Sequence, residues 1–490
     1  MSLRAVNLMT FLVIAVGALL LRFHNIDQWG MWIDELYSVK HAAEFAGGRG
    51  FTTRTIAYLP TMVALELSGV DMSSVDPDDW STWRAAGIVE WNMRAHIAVL
   101  GAISILLLGL AVRRDLGDRT ALLLCLLLAL SPWHLWMSQV TRFYIQLFLL
   151  YNLGLLFYYQ ATESGQLWRA AAAMVCVLLA FYTSPIALMI LGIFGVDIVM
   201  NGLRRRPTGM RASFWVLGAV GVAVCLVSIF NRFEGNPEYY SGFTRTPQPL
   251  SIMVMGVVYL VGVPLVIMAA LGFWSLLRAR RERLAILLLA SILVPPLAFT
   301  AFDAAGKAIH LRYAFVGLFA WLALAAVGIE LIVANLLTRW GRLAASLPAA
   351  AFLSVYVVPD YVYMTGGAGY RGQWQQAIAY VKEHRRPGEL VGGDHVARQL
   401  ARYYLQERDV VLLPRSFSSS DIREVVPGPA WIVIRAYEPS VGDRSREIEA
   451  AGQLRAYFAN RIAQPNHTIN VYYYPASDSG RFDLPAGQAD

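Results

Sequence analysis

Ala5-Val-Asn-Leu-Met-Thr-Phe-Leu-Val-Ile-Ala-Val-Gly-Ala-Leu-Leu-Leu-Arg22 leads, after a short spacer, into Trp29-Gly-Met-Trp-Ile-Asp-Glu-Leu-Tyr-Ser38. The first stretch is close to the roughly 20 apolar residues that cross a bilayer. Arg22-Phe23-His24 stands where a cleaved signal would need small residues, so the stretch reads as a retained span. The second stretch sets two carboxylates at the membrane boundary, where charge is costly unless it is paired or used. A span followed by a charged external motif defines the kind of protein, and the remaining sequence extends that reading.

Hydrophobic residues make up 57% of the 490 residues and charged residues 15%, against roughly 25% charged in soluble domains. With a mean hydropathy of +0.48, this composition excludes a disordered chain, a disulfide scaffold and an ordinary cytosolic enzyme. Eleven candidate spans follow, at 5–22, 95–112, 120–137, 143–160, 169–183, 185–203, 213–231, 252–273, 284–302, 313–338 and 343–361. A re-entrant hairpin is an alternative around Ser184-Pro185. Arginines concentrate in alternate loops, at Arg113, Arg114 and Arg119, Arg204 to Arg206 and Arg211, Arg278, Arg280, Arg281 and Arg283, and Arg339 and Arg342. The positive-inside rule makes those loops cytoplasmic, places the N-terminus inside and puts the C-terminal tail outside. The net charge of +7 is therefore a topology signal and not a nucleic-acid footprint. Cys125, Cys176 and Cys225 all lie in apolar runs, with no disulfide or zinc spacing.

Two segments lie outside the membrane on this reading. The loop 23–94 carries the acidic Asp76-Pro-Asp-Asp-Trp80 and a helical apolar stripe, Ile56, Leu59, Val63 and Leu67, suited to a membrane surface. The chain thus divides into a transmembrane domain, 1–361, and an external domain, 362–490. The tail reads as α/β. Helices are expected at 374–384, 397–405 and 444–460, with strands at 389–393, 410–413, 431–434 and 469–474.

Three constellations can do chemistry. Asp34 and Glu35 are consecutive, so their side chains diverge and two roles fit better than a shared one. A solvated or capping pair is the plainer alternative. Ser131-Pro-Trp-His-Leu-Trp-Met-Ser-Gln-Val-Thr-Arg-Phe-Tyr144 gathers His134, Gln139, Arg142 and Tyr144 at one depth. That set also fits an interfacial aromatic belt with a snorkelling arginine. Lys307, His310, Arg312 and Tyr313 place cationic groups on an external loop against the positive-inside bias, which suits a phosphate at the outer surface. No Gly-x-x-x-x-Gly-Lys loop, His-Glu-x-x-His or Cys-x-x-Cys occurs.

Taken in order, Trp32-Ile-Asp34-Glu35-Leu-Tyr-Ser38, Ser138-Gln139-Val-Thr-Arg142-Phe-Tyr144, Arg312-Tyr313, and the helix and turn Trp374 to Gly388 resemble the GT-C superfamily of membrane glycosyltransferases. The likeness is to the branch of the dolichyl-phosphate-mannose–protein mannosyltransferases and the lipid A aminoarabinose transferase, and it covers most of residues 5–405. It implies a polytopic helical protein of GT-C type with a C-terminal extracytoplasmic α/β domain. The implied activity takes a sugar from a polyprenyl phosphate and passes it, with inversion, to a glycolipid, polysaccharide or protein. The implied location is the cell's inner membrane, with the site facing the periplasm or exterior. By the same resemblance Asp34 is the general base, and Arg142, Lys307, His310 and Arg312 hold the donor phosphate. Tyr144, Gln139, His134 and Tyr313 bind substrate, and Glu35 orients the acceptor or holds a divalent metal. A flippase for a lipid-linked saccharide would need the same cations but not Asp34 as a base. A non-catalytic membrane subunit is the third reading.

Overall fold

The computed structural model describes residues 3–48, 55–203, 218, 221, 223, 250–304, 311–365, 372–413, 428–435, 452–458 and 468–475. The apolar runs are helical, as a backbone in lipid must be to satisfy its own polar groups. They include Leu3–Phe23, Glu90–Leu116, Asp118–Leu130, Tyr144–Ser164, Leu167–Thr183, Met189–Leu203, Glu282–Ala304, Leu318–Ser354 and Val357–Thr365. Among the described residues, five helical segments are long and apolar enough to cross a membrane, or six with one bent pair counted as a span. The protein is a multi-pass membrane protein. The expected span 213–231 lies outside the described residues, apart from Gly218, Gly221 and Ala223.

Two expected spans are broken in the structure. The run 120–137 stops at Leu130 and restarts as the short helix Pro132–Met137. Pro132 lacks an N–H and pushes the preceding Ser131 into an extended conformation, while the Ser131 hydroxyl caps the His134 N–H. The run 252–273 divides into Leu250–Val261 and Val263–Arg278, bent by 93° at the break. At Ser184-Pro185 the chain leaves one helix at Thr183 and passes through a 3-10 turn, Pro185–Leu188, into the next.

By its internal packing the chain forms two compact units, one of residues 1–24, 48–61 and 94–361, the other of residues 25–47, 62–93 and 362–490. In the first unit, helices Val263–Arg278 and Leu318–Ser354 meet backbone to backbone. A Cβ on Gly272 would lie 1.9 Å from the Leu324 carbonyl oxygen, and one on Gly328 would lie 2.1 Å from that of Met268. Small residues permit this approach, which takes the place of a hydrophobic driving force in lipid.

In the second unit, a five-stranded sheet has the order β2-β1-β3-β5-β4. The strands are β1 (Leu390–Gly393), β2 (Val410–Leu412), β3 (Ala430–Arg435), β4 (Gln453–Phe458) and β5 (Ile469–Tyr474). β1 runs parallel to β2 and β3, and β5 runs antiparallel to β3 and β4. The helices Trp374–His384 and His395–Leu405 fall where the sequence places them. The helix expected at 444–460 is a strand over Gln453–Phe458, and 444–451 lie outside the described residues. Leu454, Ala456 and Phe458 alternate with period two, the strand signal that the helical reading passes over. One face of the sheet is packed by Leu413, Ala430, Ile432, Ile434, Tyr472 and Tyr474.

Candidate functional site

Asp34 and Glu35 fall in the first turn of the helix Ile33–Ala46, where carboxylates favour the exposed N–H groups and the helix dipole. Their side chains part. Glu35 is fully buried, and its Oε2 accepts the Trp32 N–H at 3.0 Å, closing the helix start. Asp34 is half-buried, and Ser38, one turn on, donates its hydroxyl to the Asp34 carbonyl. Tyr37 sits three residues after Asp34, on the neighbouring position of the helix surface. Its phenol is 2.8 Å from Nε2 of His395, and its ring meets Trp80 edge-on at 5.3 Å. Burial pushes the Tyr37 hydroxyl above its ordinary value, with Lys40 opposing the shift and Asp34 adding to it.

The loop that carries Asp34 is fastened to the helix His395–Leu405. Tyr404 accepts the Met31 N–H and donates to Glu90, Tyr403 donates to the Ile88 carbonyl, and Arg402 and Arg408 pair with Asp79. A Cβ on Gly30 would stand 3.1 Å from Gln375 Cβ, so the loop lies tight against this unit.

In the first unit, the Ser131–Tyr144 segment is organised around Arg22, a residue that sequence reading treats only as the end of a span. Arg22 is fully buried. Its guanidinium donates to the carbonyls of Ala18, Leu128 and Ala129, to Ser138 Oγ and to His134 Nδ1 at 2.8 Å. A guanidinium can only donate, so Nδ1 accepts and the imidazole proton sits on Nε2, which faces Ser104 Oγ at 3.1 Å. Ser104 in turn donates to the Gly101 carbonyl. Gln139 spends its Nε2 hydrogens on the carbonyls of Arg22 and His24. His134 and Gln139 therefore hold the end of the first helix. Gly101 is required at this crossing, because a Cβ there would lie 2.5 Å from Ser138 Oγ and 3.1 Å from Arg22 Nε. Asp360, on Val357–Thr365, acts on Arg22 electrostatically. An arginine closing an apolar run must find acceptors, and that was the available signal.

Just beyond this segment, two motifs far apart in sequence come together. The 3-10 turn Leu311–Gly317 is tied to the helix Tyr144–Ser164 by Asn152, which donates to the Val316 carbonyl, and by Phe148 stacked on Phe315 at 4.7 Å. The Arg312 guanidinium consequently lies 5.9 Å from the Tyr144 ring and 5.7 Å from the Tyr313 ring. Tyr144 is buried, and Arg142, half-buried, lies over Phe143 at 5.3 Å. A cation within about 6 Å of a ring face is attracted by the ring quadrupole, and the guanidinium keeps its N–H groups for hydrogen bonds. Lys307 and His310 lie outside the described residues.

Among the described residues, no three His, Cys, Asp or Glu side chains converge as a metal centre. Glu35 spends one carboxylate oxygen, Oε2, on its helix cap.

No protein-family model and no curated protein matches the chain by sequence. Solved structures do match its fold. In particular, ArnT from Cupriavidus metallidurans, in its apo state and bound to undecaprenyl phosphate, superposes with a TM-score of 0.59 at 15% identity, over 96% of this chain and 99% of that one. The Archaeoglobus fulgidus oligosaccharyltransferase superposes with a TM-score of 0.54 at 13% identity, over 95% of this chain and 73% of that one.

Proposed function

We propose that the chain is a membrane glycosyltransferase that moves a sugar from a polyprenyl phosphate to a hydroxyl of a glycolipid, polysaccharide or protein. The reading includes eleven spans, a cytoplasmic N-terminus and a site facing the periplasm or exterior of the inner membrane. The observation that carries it is the whole-length likeness to ArnT, a protein whose structure holds undecaprenyl phosphate.

In this reading Asp34 takes the proton of the acceptor hydroxyl. The acceptor oxygen bonds to the anomeric carbon, the bond from that carbon to the phosphate oxygen breaks, and the lipid phosphate leaves with the electron pair. One displacement inverts the anomeric centre. Phosphate is a good leaving group, so a positioned base is the main proton-transfer requirement, worth about 10²–10⁴-fold. Arg142, Lys307, His310 and Arg312 stabilise the charge on the departing phosphate. Tyr144 and Tyr313 lie beside Arg312, while Arg22, His134 and Gln139 hold the segment that leads to Arg142.

Titrating the purified chain in lipid nanodiscs with undecaprenyl phosphate tests this assignment. The expected result is saturable binding, weakened about tenfold to hundredfold in Arg312→Ala, the worth of a charged hydrogen bond, and unweakened in Asp34→Asn. An affinity that neither Arg142→Ala nor Arg312→Ala changes would overturn it.

A further inference from the structure

We infer that Tyr37 and His395 form an acceptor-binding pair beside Asp34, so that the C-terminal domain takes part in choosing the acceptor. The inference rests on the reading of Asp34 as the base and goes beyond it by assigning the acceptor side.

Tyr37 and Asp34 share one face of the helix Ile33–Ala46, at the i,i+3 spacing that brings side chains within about 5–6 Å at Cβ. A hydroxyl that gives its proton to Asp34 therefore has the Tyr37 phenol as a near neighbour. The phenol lies 2.8 Å from His395 Nε2, and this contact is exposed. The half-buried Tyr37 stays a neutral phenol, able to donate and accept together, as suits a polyol or sugar hydroxyl.

Both partners are fixed in place. Tyr37 leans on Trp80, which stacks on Trp83 at 5.1 Å. His395 opens a helix whose start is capped by Asp394, accepting the Ala397 N–H at 2.8 Å, and whose body is locked to the Asp34 loop through Tyr403 and Tyr404. A hydrogen-bonding pair on two rigid elements is suited to selecting a ligand. The pair also gives a reason for the C-terminal domain to pack on the first loop, since His395 comes from one and Tyr37 from the other.

The test uses the full chain expressed in its own membranes, with donor and acceptor supplied by the cell. Mass spectrometry reads the fraction of copurifying polyprenyl phosphate that still carries sugar, for Asp34→Asn, Tyr37→Phe, His395→Ala and His395→Gln. Asp34→Asn is expected to raise the loaded fraction most. Tyr37→Phe, which keeps its ring on Trp80, and His395→Ala are expected to raise it about threefold to tenfold, the worth of one hydrogen bond. His395→Gln, whose amide reaches the phenol, is expected to restore most of what His395→Ala loses. Thermal midpoints and undecaprenyl phosphate affinity are expected to stay put in both pair variants.

If Asp34→Asn loads and neither pair variant does, the inference is overturned while the glycosyltransferase reading stands. A loss of undecaprenyl phosphate affinity in Tyr37→Phe would move the pair to the donor side and overturn it equally. If Asp34→Asn itself shows no enrichment, the base assignment fails and the inference falls with it.

Discussion

Two buried arginines in the membrane unit solve the same problem in opposite ways. Arg283 forms a bidentate pair with Asp197, Nε to Oδ1 at 3.1 Å and an outer nitrogen to Oδ2 at 2.7 Å, and reaches Glu163 at 3.0 Å. Tyr158 and Asn201 donate to the same Asp197 carboxylate, so its lone pairs are filled. Arg22 has five hydrogen-bond partners, and all are neutral. The Asp197 cluster gathers at the C-terminal end of the helix Tyr144–Ser164, about 21 Å from Tyr144 at 1.5 Å per residue, and the Arg22 cluster holds the segment that enters its other end. The difference teaches that one end of the bundle is stapled by a bidentate ion pair, whereas the end leading to Arg142 and Tyr144 is held by a cation hydrogen-bonded to neutral groups, with Asp360 acting on it through space.

Substitutions can break that contrast. Asp197→Ala should have the largest effect, about 3–5 kcal/mol of destabilisation, because it leaves Arg283 buried without its main counter-charge. Thermal unfolding in detergent reads it, and the double change Asp197→Leu with Arg283→Met should recover most of the loss. Arg22→Met should cost about 3 kcal/mol, several hydrogen bonds at about 1 kcal/mol each, since the hydrogen-bond acceptors it orphans are neutral. Equal costs for the two would erase the distinction. Gly101→Ala should cost about 1–3 kcal/mol by overpacking the Arg22 and Ser138 crossing, and the loss should shrink in an Arg22→Met background, where the crossing is already loosened.

A third charged group sharpens the comparison from the other sign. In the sheet unit, Glu389 is an anion satisfied largely by neutral donors. Burial alone would raise its carboxyl, but the Arg386 N–H, Trp431 Nε1 and the Tyr473 hydroxyl together hold it below the usual carboxylate range. A carboxyl depressed in the folded state stabilises above its unfolded value of about 4.3, and that contribution is lost as pH falls through the folded value. Protection of the β5 (Ile469–Tyr474) amides, relative to their intrinsic exchange rates, should fall below about pH 4, and Glu389→Gln should flatten the dependence. This is the smallest of the expected effects.

Much of the fold was legible because its signals are local. Apolar length marked the spans, and the helical pattern of Trp374–His384 stopped at Pro387-Gly388 as the sequence indicates. The separation of Asp34 from Glu35 was legible too, because consecutive residues of a helix point apart. What escaped was set by long-range contact. Arg22 finds Ser138 across 116 positions and Met31 finds Tyr404 across 373, and no periodicity encodes either pairing. His134 and Gln139 were visible as polar residues in an apolar setting, but their partners, backbone carbonyls and a guanidinium, are invisible to residue-type reasoning. Gln453–Phe458 was misread because a short run offers both periods, and pairing with β5 decides between them.

The most direct measurement is the sugar content of the polyprenyl phosphate that copurifies with the full chain, wild type beside Asp34→Asn. A glycosylated polyprenyl phosphate enriched in the mutant, with bare polyprenyl phosphate dominant on the wild type, is the predicted result. Bulk phospholipid alone on both proteins, or equal sugar loading with transfer intact in the mutant, would contradict the account.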